Sequence, residues 1–307
     1  MVSVSVIIAS YQAGATIERC LGALTRQQTQ ESFEVIIVDS SADGTAQIIR
    51  KQFPSVNLVV GARRLWPGDA RNLGVAQARG RILAFTDVDC MADPAWIERI
   101  VQAHANRDHP IIGGAIVNGS ADRLVDRAFY FCSLNAWMPS RAQDWADDLP
   151  TGCLTMTQAA FERFGPFLEG SFSSDSVFSW RASLAGVRPW FEPSVQVIHV
   201  SRTTVRGLVQ QRFIRGRAYA EQRVREHRWS TARRVGYALL SPVLPLVVLM
   251  RIVPRMCTGI TLFWQFVTAT PLVVLGVIAW SLGEGGGYLS ACAGRQNAPG
   301  MVRQLPD

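Results

Sequence analysis

Two carboxylates separated by one residue, Asp87-Val-Asp89, close the stretch Arg81-Ile-Leu-Ala-Phe-Thr-Asp-Val-Asp-Cys90. The four apolar residues Ile82 to Phe85 read as a short buried strand. At a strand end the i, i+2 spacing lets both carboxylates reach one ligand if the chain bends between them. Two anions held that close repel unless a cation or a hydroxyl-rich ligand sits there. A hard divalent cation carrying a diphosphate satisfies that requirement. A bare D-x-D more often ends a strand in a solvated acidic turn, so its meaning rests on the elements around it.

Those elements alternate. Val2 to Ala9 reads as a strand and Ala15 to Gln28 as a helix, with Ile17, Leu21 and Leu24 at helical spacing. Phe33 to Val38 is a continuous apolar run, the pattern of a strand buried on both faces. A helix over Thr45 to Phe53, a strand over Val56 to Val60 and a helix over Gly68 to Arg79 lead to the strand at Ile82. Four strand–helix alternations in the first ninety residues predict a parallel sheet wound with helices. In such sheets ligands bind beyond the carboxyl ends of the strands, and Ser10-Tyr11, Asp39 and Asp87-Val-Asp89 all fall there. The first turn, Ala9-Ser-Tyr-Gln-Ala-Gly14, lacks G-x-G-x-x-G, and no Walker A sequence occurs, so the pattern is neither a dinucleotide site nor a P-loop.

The runs VSVIIASYQAG, FEVIIVDSSADGT and DARNLGVAQARGRILAFTDVDC resemble the inverting glycosyltransferases of family two, with the GT-A fold. A later run, Gly165-Pro-Phe-Leu-Glu169 through Asp175-Ser-Val-Phe-Ser-Trp-Arg181 to Gly186, resembles that family's acceptor-side motif, and the resemblance covers about residues 2–220. It implies an α/β fold, a nucleoside-diphosphate-sugar donor and a divalent metal, Mg2+ or Mn2+. By that resemblance Ala9, Ser10, Tyr11 and Asp39 hold the base and ribose, Arg71 the diphosphate, Asp87 the ribose and Asp89 the metal, with His199 a further metal or phosphate contact. Asp175 matches the base that deprotonates the acceptor hydroxyl.

Each residue also has a plainer role open to it. Asp39 would cap the following helix, a task Asp43 or Thr45 also fits. Arg71 would be a surface arginine, His199 a structural histidine, and Asp175 the cap of a helix over Val177 to Leu184. Trp137, Trp145, Trp180 and Trp190 read as core, Gly74 and Gly80 as structural, and Asp144, Asp147 and Asp148 as a solvated loop. Two departures from the family pattern stand out. Ser174 replaces the glutamate that usually precedes the base, and Ser40 replaces a second aspartate after strand two.

The 307 residues are 48% hydrophobic with net charge +7. Ten arginines against Glu221 and Glu226 make the segment from Arg202 to Arg234 locally +8, so the rest is near −1. One basic segment argues for contact with something anionic rather than for nucleic-acid binding. The six cysteines form no CxxC pair and read as reduced and intracellular, and the N-terminus lacks the basic region of a signal peptide. After Arg234 come sixteen uncharged residues holding Pro242 and Pro245, then Arg251 and Arg255, then twenty-eight uncharged residues from Met256 to Gly283. The second stretch is long enough to span a bilayer.

The expected organisation is a glycosyltransferase domain over 1–220, with a nucleotide half over about 1–117 and an acceptor half over about 118–220. A basic juxtamembrane segment follows over 221–234, then one or two membrane helices over 235–283 and a disordered tail over 284–307. The expected place is the cytoplasmic membrane, catalytic domain on the cytoplasmic side. The expected activity is transfer of one sugar to a saccharide or lipid-linked acceptor in cell-surface glycan or glycolipid synthesis. Gln210-Gln-Arg212-Phe213 stands where processive members carry Q-x-x-R-W. Transfer to a polyprenyl phosphate and an inactive nucleotide-sugar-binding scaffold are the alternatives, the latter kept open by Ser174.

Overall fold

The computed structural model describes residues 2–290. Strands β1 (Val4–Ser10), β2 (Phe33–Asp39), β3 (Asn57–Val60) and β4 (Ile82–Asp87) alternate with helices α1 (Ile17–Thr25), α2 (Thr45–Gln52) and α3 (Pro67–Val75). The strands are parallel in the order β3-β2-β1-β4. β1 and the apolar body of β4 are buried almost throughout, as expected where helices cover both faces. α3 stops at Val75, short of the expected Arg79, and the chain then turns so that Gly80 meets Ser5. A Cβ on Gly80 would lie 2.5 Å from the Ser5 nitrogen, and one on Gly74 would lie 2.6 Å from Ile7 Cγ2, so both glycines are structural.

Beyond β4 the sheet becomes mixed. Next come β5 (Cys90–Ala92), α4 (Trp96–Arg107), β6 (Ile111–Asn118), α5 (Leu124–Ser133), β7 (Asp144–Trp145), β8 (Cys153–Thr157), α6 (Gln158–Phe164), α7 (Ser174–Leu184) and β9 (Trp190–His199). β8 runs antiparallel to β4 and β6, β9 lies parallel to β6, and β5 pairs antiparallel with β9. This last pairing sets Cys90 opposite His199. It is the contact that brings a strand end from the far half of the chain beside the D-x-D carboxylates.

Four α-helices complete the described residues: α8 (Val205–Glu226), α9 (Thr231–Leu240), α10 (Leu244–Met256) and α11 (Ile260–Ser290). The expected boundary at residue 220 falls inside α8. Pro242 opens a short 3-10 turn and Pro245 sits in the first turn of α10, so neither breaks a helix. Glu284 to Ser290, expected to be disordered, continue α11, while the remainder of that expected tail lies outside the described residues.

α11 can form there because glycines let it close on α8. A Cβ on Gly283 would collide with the Phe213 carbonyl, and one on Gly287 would come within 2.5 Å of the Arg217 carbonyl. The spacing Gly283-x-x-x-Gly287 places both on one helix face. Gly283→Ala is expected to push the two helices apart and to destabilise the chain by about 1–3 kcal/mol. A lowered thermal unfolding midpoint checks this; an unchanged midpoint would show that the packing yields freely.

Candidate functional site

The parallel register gathers the predicted donor-side residues at one sheet edge. Ser10 lies opposite Asp39, and Ala9 opposite Asp87. Asp39 is fully buried, and its Oδ1 accepts hydrogen bonds from Ser10 Oγ at 2.7 Å and Ser41 Oγ at 2.6 Å. Its Oδ2 is buried without a hydrogen-bond partner among the described residues. An unsatisfied buried carboxylate oxygen is costly, and it marks a place where a ligand donor belongs. Ahead of α2, whose capping position is Gly44, it is Asp43 that accepts through Oδ1 from Thr45 N–H at 3.1 Å and Thr45 Oγ at 2.6 Å. Tyr11 lies beneath the Arg64 guanidinium, 4.3 Å from its ring centre. Ser40 accepts from the Leu65 N–H at 3.2 Å and so ties down the loop after β3.

Arg71 is not a surface arginine. It is 5% exposed and donates through Nη2 to Asp87 Oδ1 at 2.7 Å. Its Nε is buried without a partner among the described residues. Asp87 is therefore held by an arginine from α3, while Asp89 is held by β9: His199 Nε2 lies 3.3 Å from Asp89 Oδ2, and His199 Nδ1 lies 3.1 Å from Ser201 Oγ. Burial works against the ionised form of Asp89, but the His199 hydrogen bond and charge outweigh it and hold the carboxyl below its ordinary value. Burial also works against imidazolium at His199, and Asp89, with Asp87 beyond it, raises the ring above its usual value. Beneath the pair lie Cys20 and Cys90. Burial and the two aspartate charges push both thiols up, so they pack as neutral groups.

A second group of carboxylates faces this edge from the other half. α7 begins at Ser174 with Ser173 in the capping position, so Asp175 is not the cap the sequence pattern offers. Its carboxylate accepts from Ser176 N–H at 2.9 Å and Thr151 N–H at 3.4 Å. Ser176 also donates through Oγ to Asp148 Oδ2 at 3.2 Å, and so bridges the two acids. Asp144 is exposed but lies in β7 rather than in a loop, Asp147 is exposed as expected, and Asp148 is half-buried, a departure from that expectation. Burial raises Asp175, moderated by the charges of Arg71 and Arg215. Burial and the Asp175 charge push Asp148 up to about 6. Arg215, from the basic segment, adds its charge to the surroundings of Asp89, Asp175 and His199. Trp180 is buried and packs edge-on to Tyr219 at 5.0 Å, as the core reading expects, whereas Trp145, edge-on to Trp190 at 5.0 Å, is 43% exposed and departs from it.

A carboxyl whose folded pKa is raised stabilises the fold below its unfolded value and loses that contribution as pH climbs through the raised value. Asp148→Asn keeps an acceptor for Ser176 and removes the buried charge. The variant is expected to melt above the wild type at pH 7.5, the gap closing below about pH 4. A gap independent of pH, or of opposite sign, would contradict the assigned burial.

The sequence profile of the family described as "Glycosyl transferase family 2" matches residues 5–164. The chain is 36% identical over 118 residues to the glycosyltransferase AglE of Haloferax volcanii, covering 37% of this chain and 39% of that one. It is 34% identical over 109 residues to a validoxylamine A glucosyltransferase of Streptomyces hygroscopicus, covering 33% and 25%. The matches thus span well under half the length of these relatives. Among solved structures, the mannosyltransferase PcManGT from Pyrobaculum calidifontis in complex with GDP-Man and Mn2+ superposes with TM-score 0.57 at 20% identity, covering 96% of this chain and 76% of that one. S. aureus TarS 1-349 in complex with UDP-GlcNAc gives 0.51 at 16% identity, covering 89% of each chain. These likenesses establish the GT-A fold, and with more than half its length matched by the profile, strand ends included, the chain belongs to glycosyl transferase family 2.

Proposed function

We propose that this chain is an inverting glycosyltransferase that moves one sugar from a nucleoside-diphosphate sugar to an acceptor hydroxyl. The observation that carries the reading is the division of five carboxylates around one sheet edge. Asp39, with an unpartnered oxygen, and Asp87 and Asp89 face the donor side, while the half-buried pair Asp148 and Asp175, linked through Ser176, faces the acceptor side. Folds of this kind with GDP-Man and with UDP-GlcNAc bound support a nucleotide-sugar donor.

On the donor side, Asp39 Oδ2 accepts from a base N–H or a ribose hydroxyl, with Ala9, Ser10 and Tyr11 forming the wall. Arg71 fixes Asp87 toward the ribose. Asp87 and Asp89 would hold a Mg2+ or Mn2+ ion. The donor set fits: both are hard oxygen ligands at a strand end, and no cluster of three such side chains occurs among the described residues, as suits an ion whose shell is completed by substrate phosphates and water. Such an ion offsets charge on the departing diphosphate.

On the acceptor side, Asp175 takes the proton from the acceptor hydroxyl. That oxygen then bonds to the anomeric carbon as the bond from carbon to diphosphate oxygen breaks. One displacement inverts the centre. A base with a raised pKa is better matched to this work near neutral pH. Ser174 leaves the family's adjacent carboxylate missing, and Asp148 supplies one from a different segment through Ser176. The preserved pair of acids favours an enzyme over an inactive scaffold. The acceptor is a saccharide or lipid-linked hydroxyl of cell-surface glycan or glycolipid synthesis.

A panel of nucleoside-diphosphate sugars with Mg2+ or Mn2+, read first by thermal shift and then by nucleotide release with acceptor, tests the reading. Asp175→Asn is expected to lower transfer roughly 10²–10⁴-fold while donor affinity holds. Near-wild-type transfer would place the base elsewhere, and lost donor binding would place Asp175 on the wrong side. Asp89→Ala is expected to abolish transfer and the metal dependence of donor binding without unfolding the chain. Donor binding that keeps its metal dependence would remove Asp89 from the metal site.

A further inference from the structure

The two apolar C-terminal segments, Thr231–Met256 and Ile260–Ser290, are long enough to cross a membrane. Their contacts make crossing untenable. Near the start of α11, Phe266 packs edge-on to Phe131 at 5.6 Å, and Arg127 of α5 donates to Thr268 Oγ at 3.2 Å. Near its end, Ser290 donates to Glu221 of α8 at 2.8 Å. From Phe266 to Ser290 a helix rises about 36 Å, more than the roughly 30 Å of a hydrocarbon core. A spanning α11 would therefore draw α5 and α8 into the lipid with it, and α8 carries Arg206, Arg215, Arg217 and Arg225 exposed. Charges at bilayer depth are costly. The turn after α10 is held to the domain as well, by Arg255 on the Asn135 side chain.

The other face of these helices is unlike a soluble surface. Leu239 is 74% exposed and Ile260 72%, and Leu246, Met250, Trp264 and Leu282 are also more than half exposed. An apolar groove between α8 and α11, lined by Phe213, Leu275 and Ile278, opens beside Leu282. From residue 227 to 290 the chain holds five arginines and one acid, Glu284, which is buried. Exposed Arg228, Arg233 and Arg251 therefore border the apolar face with no exposed carboxylate to compete.

We propose that α9, α10 and the outer face of α11 form an in-plane docking surface for a single anionic lipid leaflet. The catalytic domain, both ends of α11 and the turn between α10 and α11 all lie on one side. The proposal deepens the membrane association of the sequence reading and is independent of the transferase reading, since its test uses no sugar donor. Apolar area is immersed at the headgroup boundary while the arginines meet lipid phosphates.

The full-length chain is incubated with preformed vesicles of phosphatidylcholine alone or mixed with phosphatidylglycerol, and sedimented. Strong binding to the mixed vesicles and weaker binding to the neutral ones is expected. Trp264→Glu and Leu246→Glu, both at exposed positions, are each expected to weaken binding about tenfold or more with unchanged thermal midpoints. Equal binding by these variants, equal binding to both vesicles, or a lipid-free dimer dispersed by Trp264→Glu would overturn the proposal, the last in favour of a second copy. Cys257, exposed in the turn, gives a second test in a Cys292→Ser chain, where the other four cysteines are buried. In spheroplasts of an expressing bacterium, an impermeant maleimide is expected to leave it unlabelled until the cells are opened. Labelling from outside would show that the hairpin crosses the membrane.

Discussion

The ion pair between buried Arg71 and half-exposed Asp87 holds the site together because it is the point where two acidic groups meet. Five carboxylates converge on one sheet edge, and unpaired they would repel. Arg71 neutralises Asp87 by direct contact at 2.7 Å and lowers the cost of ionised Asp175 through its charge. His199 does the same for Asp89 at 3.3 Å. The remaining acids, Asp39 and Asp148, have no such cation in contact. One keeps an unpartnered oxygen and the other is driven toward its protonated form by burial and by Asp175. The five acids are thus offset in different ways, two by a basic side chain in contact and the others by hydrogen bonds, by charge at a distance or by protonation.

The nucleotide half was legible because it is built from local signals. Apolar runs fix β1, β2 and β4, and a parallel sheet puts their polar ends on one edge. Small errors followed from backbone constraints that a pattern does not show. α3 stops early because Gly80 has to lie against Ser5, and β4 extends to include Asp87, so that carboxylate is strand-borne rather than loop-borne.

The acceptor half was less legible because its contacts join segments far apart in the chain. His199 reaches Asp89 only through the antiparallel β5–β9 pairing, which no periodicity announces. Asp148 looked like one of three solvated aspartates, and its link to Ser176 of α7 joins segments that no local pattern connects. The same loop answers the puzzle of Ser174. Where Ser174 stands in α7, a carboxylate from a different segment, Asp148, is joined to the Asp175 neighbourhood through Ser176. Comparing motif letters position by position registers only the loss.

The C-terminal helices show how much of their packing composition leaves out. Hydropathy sees twenty-eight uncharged residues and counts a span. It cannot see that Gly276, Gly283 and Gly287 form a stripe facing the domain. Nor can it see that neighbouring residues of α8 look opposite ways. Arg215 directs its charge at Asp89 and Asp175, while Gly216 lets α11 approach until the Trp280 carbonyl abuts it. A helix is rigid over one residue, so the packing that seats α11 also sets the direction in which Arg215 points. The apolar face and the acidic site are therefore fixed by the same turn of helix, and displacing one would misalign the other.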